Sequence, residues 1–514
     1  MSPTNKKIFI LFGLVVIGFF YINHRINKQV PEKVCDHCNI LLIDIDTLRA
    51  DELPCYGYHR NTTPNICDFA NKSLLFKNNY SPANWTLPSI FSTITSLYPT
   101  FHRVRFPYVH KLDDSKATLA KTLQGQGYYT VFIGKDDNTS TLTRENGGLV
   151  GYDLITTENV TEVITQLSKK PKPWFIHYYR DDLHLPYLIS NDAKPIDNTL
   201  TAPPKMPINQ LEFEPIFNDY LKKHSSEVFK KEVIDQYSSI FLSPDKPNDT
   251  SVSQLFYKLY DQYSDRENIF IDNWMPIYNS YLETFDIKNP SHLIYLRMMY
   301  DSMVSQVDQS LAPLFKKINE RRYLKNTVTI IMSDHGESFG EYGTLGHDSN
   351  HHSDLYYTPL IVNYPKVSPK IIKSTTGNID IFPTILELVG INLSLNLQGK
   401  SLLSNLDSQI DDNERFIYSE NLEGQLLLNQ NWLYYLPNIA SSSEQSFLYN
   451  KVIDPDEKNN VANLYPELTQ SLYKKISVLR YYDSLQSDAE ILTSPQKTNI
   501  SPQKLERLQK EGYF

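Results

Sequence analysis

A surplus of positive charge is the first thing this chain lacks. Its 50 Lys and Arg against 59 Asp and Glu leave a formal net charge of −9. With no basic excess to neutralise phosphates, a nucleic-acid partner is excluded. Cysteine is scarce as well. All four, Cys35, Cys38, Cys55 and Cys67, fall in the first 67 residues of 514. Cys35 and Cys38 have a metal-type spacing, but Cys55 and Cys67 lack the second close pair of a zinc ribbon. Disulfides are therefore expected, and three pairings stay open. No internal repeat is visible, which sets aside stacked-repeat architectures.

Residues 8–22 (IFILFGLVVIGFFYI) carry no charge and lie between Lys6–Lys7 and His24, Arg25 and Lys28. The run is shorter than the roughly 17–25 residues of a spanning helix, yet no small-x-small cleavage site follows it. The expectation is an uncleaved signal-anchor over 8–22. Residues 1–7 would be cytoplasmic and 23–38 a linker. The rest would be extracytoplasmic, whether periplasmic, extracellular or lumenal.

The chain as a whole has 40% hydrophobic and 21% charged residues, enough for a full globular core. Strand-like and helix-like segments alternate: 39–46, 74–80, the helix after Pro82, 115–127, 129–134 and 174–179. That alternation predicts a mostly parallel sheet flanked by helices. A long helix is expected over 293–325, leading into a strand at 327–333. Residues 188–292, rich in Asp, Asn, Pro and Tyr, read as an insertion and possible lid. Residues 365–514 are expected to form a smaller α+β subdomain.

Three stretches carry the chemistry. SPANWTLPSIFSTITSLYP (81–99) reads as a loop turning into a helix, with Ile90, Phe91, Ile94 and Leu97 at helical spacing. Thr86 stands at the helix start as an N-cap, where free N–H groups favour an anion. NILLIDIDTLRAD (39–51) and TVTIIMSDHGESFGE (327–341) read as buried strands ending in Asp44 and Asp46, and in Asp334 and His335. Strand carboxyl ends are where open α/β sheets build their sites. A hydroxyl flanked by such groups is the outline of a metal-activated nucleophile. Oxygen and imidazole ligands suit one divalent ion: Mn, Zn, Ca or Mg. Asp46, Asp334 and His335 are the expected ligands. Asp44 is assigned to a supporting position beside them, or to the metal itself.

These segments, together with CYGYHRNTTPNI (55–66), GYYTVFIGK (127–135), HYYRDDLHLPY (177–187), SDHGESFGEYGTLGH (333–347), YTPLIV (357–362) and DIFPTILELVGI (380–391), resemble the sulfatase branch of the alkaline phosphatase superfamily. The resemblance implies that family's α/β fold, with the catalytic domain over 39–364. It implies that Lys135 contacts substrate and that His184 or His347 protonates the leaving group. Thr47 stands where many sulfatases carry a second aspartate. One departure matters most. The family's Cys-x-Pro-x-Arg, whose cysteine becomes formylglycine, is here Thr86-Leu87-Pro88-Ser89-Ile90. Family members with threonine there transfer phosphoryl groups. The expected function is metal-dependent hydrolysis or transfer on phosphate or sulfate esters through a Thr86 covalent intermediate, with phosphoesters favoured. Sulfatase activity, or an inactive sulfatase-like binding protein, is the alternative. The substrate would be a small-molecule, lipid or glycan ester.

Overall fold

The computed structural model describes residues 35, 38–105, 110–135, 142–170, 172–184, 286–320, 326–347, 350–406 and 414–492. The apolar run 8–22 and most of the 188–292 insertion lie outside them. Among the described residues no helix is long and apolar enough to cross a membrane.

The first half of the chain runs through β1 (Asn39–Ile45), α1 (Pro64–Ala70), β2 (Leu74–Tyr80), α2 (Thr86–Thr95), α3 (Pro99–His102), α4 (Leu119–Gly125), β3 (Tyr129–Ile133), β4 (Leu154–Thr156), α5 (Val160–Leu167) and β5 (Trp174–Arg180). Then come α6 (Pro290–Glu320), β6 (Thr327–Met332), the small ribbon of β7 (Ser338–Phe339) and β8 (Leu345–Gly346), β9 (Leu360–Asn363), β10 (Lys370–Gly377) and α7 (Ile381–Leu388). The last elements are β11 (Ile417–Glu420), β12 (Gly424–Leu428), β13 (Trp432–Pro437), β14 (Phe447–Asn450) and α8 (Pro466–Leu492).

Eight strands form one sheet in the order β10-β2-β9-β6-β1-β5-β3-β4. Every pairing is parallel except those of β9, which runs against both β6 and β2. The central strand β1 is almost wholly apolar because both its faces are covered. Leu41, Ile43 and Ile45 pack with Phe69 of α1, Ile164 of α5 and Val304 and Leu311 of α6. Ile40 and Leu42 face the other way, toward Leu87, Ile90 and Phe91 of α2, Leu123 of α4 and Phe382 of α7. Each such side chain contributes about 1.5–3 kcal/mol by leaving water. The expected α/β architecture is therefore present.

A four-stranded antiparallel sheet, β11-β12-β13-β14, forms the smaller unit. Alternation along its strands splits it cleanly. Leu427, Tyr434, Leu436 and Leu448 pack under Leu472 and Ile476 of α8. Ile417, Leu426, Leu428 and Tyr435 pack against Tyr80, Leu355 and Tyr356 of the large unit. The expected boundary at 365 sits too early. β10 pairs with β2 at the edge of the large sheet, and α7 packs on its face, so the small sheet begins at Ile417.

The cysteines pair as Cys35–Cys38 and Cys55–Cys67. The second closes the loop leading into α1, worth on the order of 3 kcal/mol in the chain-entropy account.

Candidate active site

Because β6 is hydrogen-bonded alongside β1, the residues that follow each strand emerge side by side. Asp46 leaves β1, and Asp334 and His335 leave β6. Thr86 arrives from the other side as the first residue of α2. It is not the N-cap: Trp85 takes that position in an extended conformation, φ −146° and ψ 158°, with no side-chain capping bond. The Thr86 hydroxyl is thereby released from capping. Its Oγ1 lies 3.1 Å from His335 Nε2.

One ligand atom each from Asp46, Asp334 and His335 lies within 4.8 Å of the others, and all three residues are buried. His335 Nε2 is 3.5 Å from Asp46 Oδ1 and 3.6 Å from Asp334 Oδ2. Those two oxygens have no hydrogen-bond partner among the described residues. The opposite oxygens are both held. Asp46 Oδ2 accepts from Tyr179 OH at 2.8 Å. Asp334 Oδ1 accepts from the backbone N–H of His335 at 2.8 Å and of Thr47 at 3.2 Å. Each carboxylate thus spends one oxygen on support and aims the other at a shared space. Buried bare carboxylate oxygens are costly unless a cation meets them, so this donor set fits a divalent metal.

Electrostatics agree. Burial, then the neighbouring Asp46 and Asp44, push the Asp334 carboxyl well above its ordinary range. Burial also raises the Asp46 carboxyl, against the opposing pull of His184 and Tyr179. Burial holds the His335 imidazole well below the usual histidine range. Its Nδ1–H donates to the Gly336 carbonyl at 2.8 Å, leaving Nε2 as the lone-pair nitrogen that a metal requires. No side chain fits at Gly336, where a Cβ would meet the Asp354 carbonyl at 1.9 Å.

The turn out of β1 is strained. Thr47 has φ 58°, unusual for a β-branched residue. Its carbonyl accepts from Tyr300 OH at 2.7 Å, and the same phenol oxygen accepts from the Arg49 N–H at 3.0 Å. Thr47 brings its N–H to Asp334 but adds no carboxylate to the cluster.

The remaining expected residues surround this centre. The His347 ring lies 4.5 Å from that of His335 and 4.9 Å from that of His184, centroid to centroid. His347 Nδ1 is 3.1 Å from Glu337 Oε1. Lys135 Nζ is 3.6 Å from Asp181, whose charge reaches Asp46. Asp44 lies outside the three-residue ligand cluster. Its Oδ2 is 3.4 Å from His177 Nε2, and His177 Nδ1 is 3.0 Å from Tyr152 OH.

Sequence reasoning missed the supporting groups. His177 and Tyr179 alternate along β5, so both face one side. Polar residues two apart in an apolar strand were the available signal. Ser89, one turn after Thr86, donates to the Asp334 carbonyl at 2.6 Å. Asn378 donates to the Ser333 carbonyl at 2.9 Å and accepts from Asn79 at 2.8 Å. Nothing local marks Asn378, because its partners are distant in sequence.

Two predictions follow from this geometry. Tyr179→Phe frees Asp46 Oδ2 while keeping the ring, and should weaken metal affinity about 10–100-fold. Titration of metal-stripped protein measures this, and unchanged affinity would show that the phenol is idle. The second concerns pH. In metal-free protein the raised Asp46 and Asp334 carboxyls hold protons in the folded state more firmly than unfolded groups at their ordinary value of 3.8. The stability they contribute is present at low pH and is lost as pH rises through the raised values. A bound cation replaces those protons. The thermal-midpoint gap between loaded and stripped protein should therefore widen from about pH 5 to about pH 8. A gap that narrows would contradict the assignment.

Comparison with known proteins adds four findings. A family model described as Sulfatase matches residues 38–391. Arylsulfatase K from Mus musculus is 29% identical over 201 residues, which is 36% of this chain and 36% of that protein. The protein from Bos taurus is 25% identical over 405 residues, 72% of this chain and 68% of its own length. Among solved structures, a protein in complex with its substrate D-glucosamine-2-N,6-O-disulfate superposes with a TM-score of 0.62 at 19% identity, over 87% of this chain and 98% of that one.

Proposed function

The chain belongs to the sulfatase family, and from that premise we propose that it is a metal-dependent hydrolase of sulfate esters in which Thr86 is the attacking group. The observation that carries this is the pair of oxygens without a hydrogen-bond partner among the described residues, Asp46 Oδ1 and Asp334 Oδ2, facing His335 Nε2 with Thr86 Oγ1 beside it. A divalent cation held by Asp46, Asp334 and His335 would supply positive charge next to that hydroxyl and to the substrate's anionic oxygens. The helix N-terminus at Thr86 adds backbone N–H groups. Thr86 Oγ1 attacks the central atom of the ester as its proton passes to water. His347, oriented by Glu337, or His184 donates a proton to the leaving oxygen. Water then clears the Thr86 ester, with a histidine taking the proton. Lys135, paired with Asp181, would meet the substrate's charge. Asp44 acts through His177 in support.

The relatives' names point to sulfate. Thr86 itself favours a second reading, phosphate esters. Threonine has no second hydroxyl on its ester carbon, so its sulfate cannot collapse to an aldehyde, and Ile90 provides no cation. The first expectation of a phosphoester preference draws on these residues alone. Matched aryl sulfate and aryl phosphate mono- and diesters decide it by kcat/KM. Sulfate ahead supports the first reading, phosphoester ahead the second, and turnover of neither would leave a binding protein. Two disulfides fit an oxidising, extracytoplasmic compartment, and an anchor at 8–22 would keep the enzyme at a membrane surface.

A further inference from the structure

The C-terminal sheet reaches the approach to Thr86 through the end of one strand. Glu420, the last residue of β11, is only 3% exposed. Its N–H donates to the Pro82 carbonyl at 3.1 Å, and it forms a parallel bridge with Ala83. Its carboxylate receives a fork from Arg105, Nε to Oε1 at 2.5 Å and a terminal nitrogen to Oε2 at 3.1 Å. Tyr418 OH also donates to Oε2, at 3.1 Å. Arg105 offers its backbone carbonyl to Trp85 Nε1–H at 2.9 Å. The next residue acts in parallel. Asn421 Nδ2 donates at 2.9 Å to the Asn350 carbonyl, which also accepts from Asn84 Nδ2 at 3.2 Å. Pro82, Ala83, Asn84 and Trp85 are thus all fixed by the last residue of β11 and the residue that follows it, directly or through one intermediary.

We propose that Glu420 and Asn421 are positioning residues that set Thr86 against the metal ligands, so that the smaller sheet is part of the catalytic apparatus. The inference rests on Thr86 as the attacking group. Neither residue needs to touch substrate. Misplacing a reacting atom by about 1 Å can cost about 10²-fold in rate, and Trp85 leaves Thr86 no flexible spacer to absorb such a shift.

The test uses the full chain. Glu420→Gln keeps the shape and removes the charge that holds Arg105; Asn421→Ala removes the second tether. Each should lower kcat on an aryl ester about 10–100-fold, with KM and bound metal unchanged. Ile476→Val, buried under the opposite face of the same sheet, should lower the thermal midpoint and leave kcat alone. In a Thr86→Ala background, Glu420→Gln should cost nothing further, because groups acting as a unit are non-additive. Wild-type kcat in both tether variants would overturn the proposal. So would an equal further loss in the Thr86→Ala background, or a kcat loss that merely tracks thermal midpoint in all three variants. If Glu420→Gln does not fold, Asn421→Ala decides. An active Thr86→Ala, by contrast, would overturn the reading of the nucleophile itself.

Discussion

Thr86→Ala is expected to keep its fold and its metal and to lose at least about 10³-fold in kcat, as other nucleophile removals do. Alanine is a good residue for a helix start, and the hydroxyl removed has no capping duty, since Trp85 holds the N-cap position. The loss should therefore be chemical, with little change in thermal midpoint. Thr86→Ser should restore much of the rate. Protein quenched during turnover of a slow ester should carry a sulfo- or phospho-adduct on the peptide containing Thr86. Activity near wild type in Thr86→Ala would sink the covalent mechanism.

Asp334→Ala should abolish metal binding and, with it, turnover by a comparable factor. Its free oxygen is one of the two aimed at the shared space, and its other oxygen ties Thr47 to His335. The sheet beneath is fastened by β1–β6 hydrogen bonds that do not involve this side chain, so circular dichroism should stay native. Removing one of several crowded buried carboxylates relieves repulsion but strands the N–H groups of Thr47 and His335, so the metal-free variant should melt modestly below metal-free wild type. Stoichiometric metal by elemental analysis in this variant would remove Asp334 from the ligand set.

Much of this arrangement was legible from residues alone. The strands β1, β3 and β6 announce themselves because a strand covered on both faces needs a nearly continuous apolar run, and β2 and β5 begin with shorter ones, LLF and WFI. Asp46, Asp334 and His335 stand out because they interrupt such runs where the strands end. What was not legible has physical reasons too. Thr86 read as an N-cap because threonine commonly caps helices, yet the neighbouring loop is held so firmly that Trp85 takes the position without a capping bond. β10 looked like part of the smaller unit because nothing in Lys370–Gly377 reveals a partner as distant as Leu74–Tyr80. Likewise Asn378 reaches Ser333, 45 residues away, and Asn79, 299 away, and Glu420 reaches Arg105, 315 away; local spacing carries no trace of that.

The strand order has a consequence for how the molecule is made. β1 pairs on one side with β5, some 130 residues later, and on the other with β6, nearly 290 residues later. β2 waits about as long for β9 and slightly longer for β10. Contacts so far apart in sequence form slowly and leave sheet edges open while the chain is growing. A ribosome that has delivered Asp46 and Thr86 has delivered no site; Asp334 and His335 are still unsynthesised, and the tethers from Glu420 and Asn421 come later again. The Cys55–Cys67 link needs only the first 67 residues and can close early, giving the emerging segment a first fixed loop. Metal capture would then be a late event in biogenesis, gated by completion of the chain past β6, where Asp334 and His335 join Asp46; the fixing of Thr86 would wait for β11.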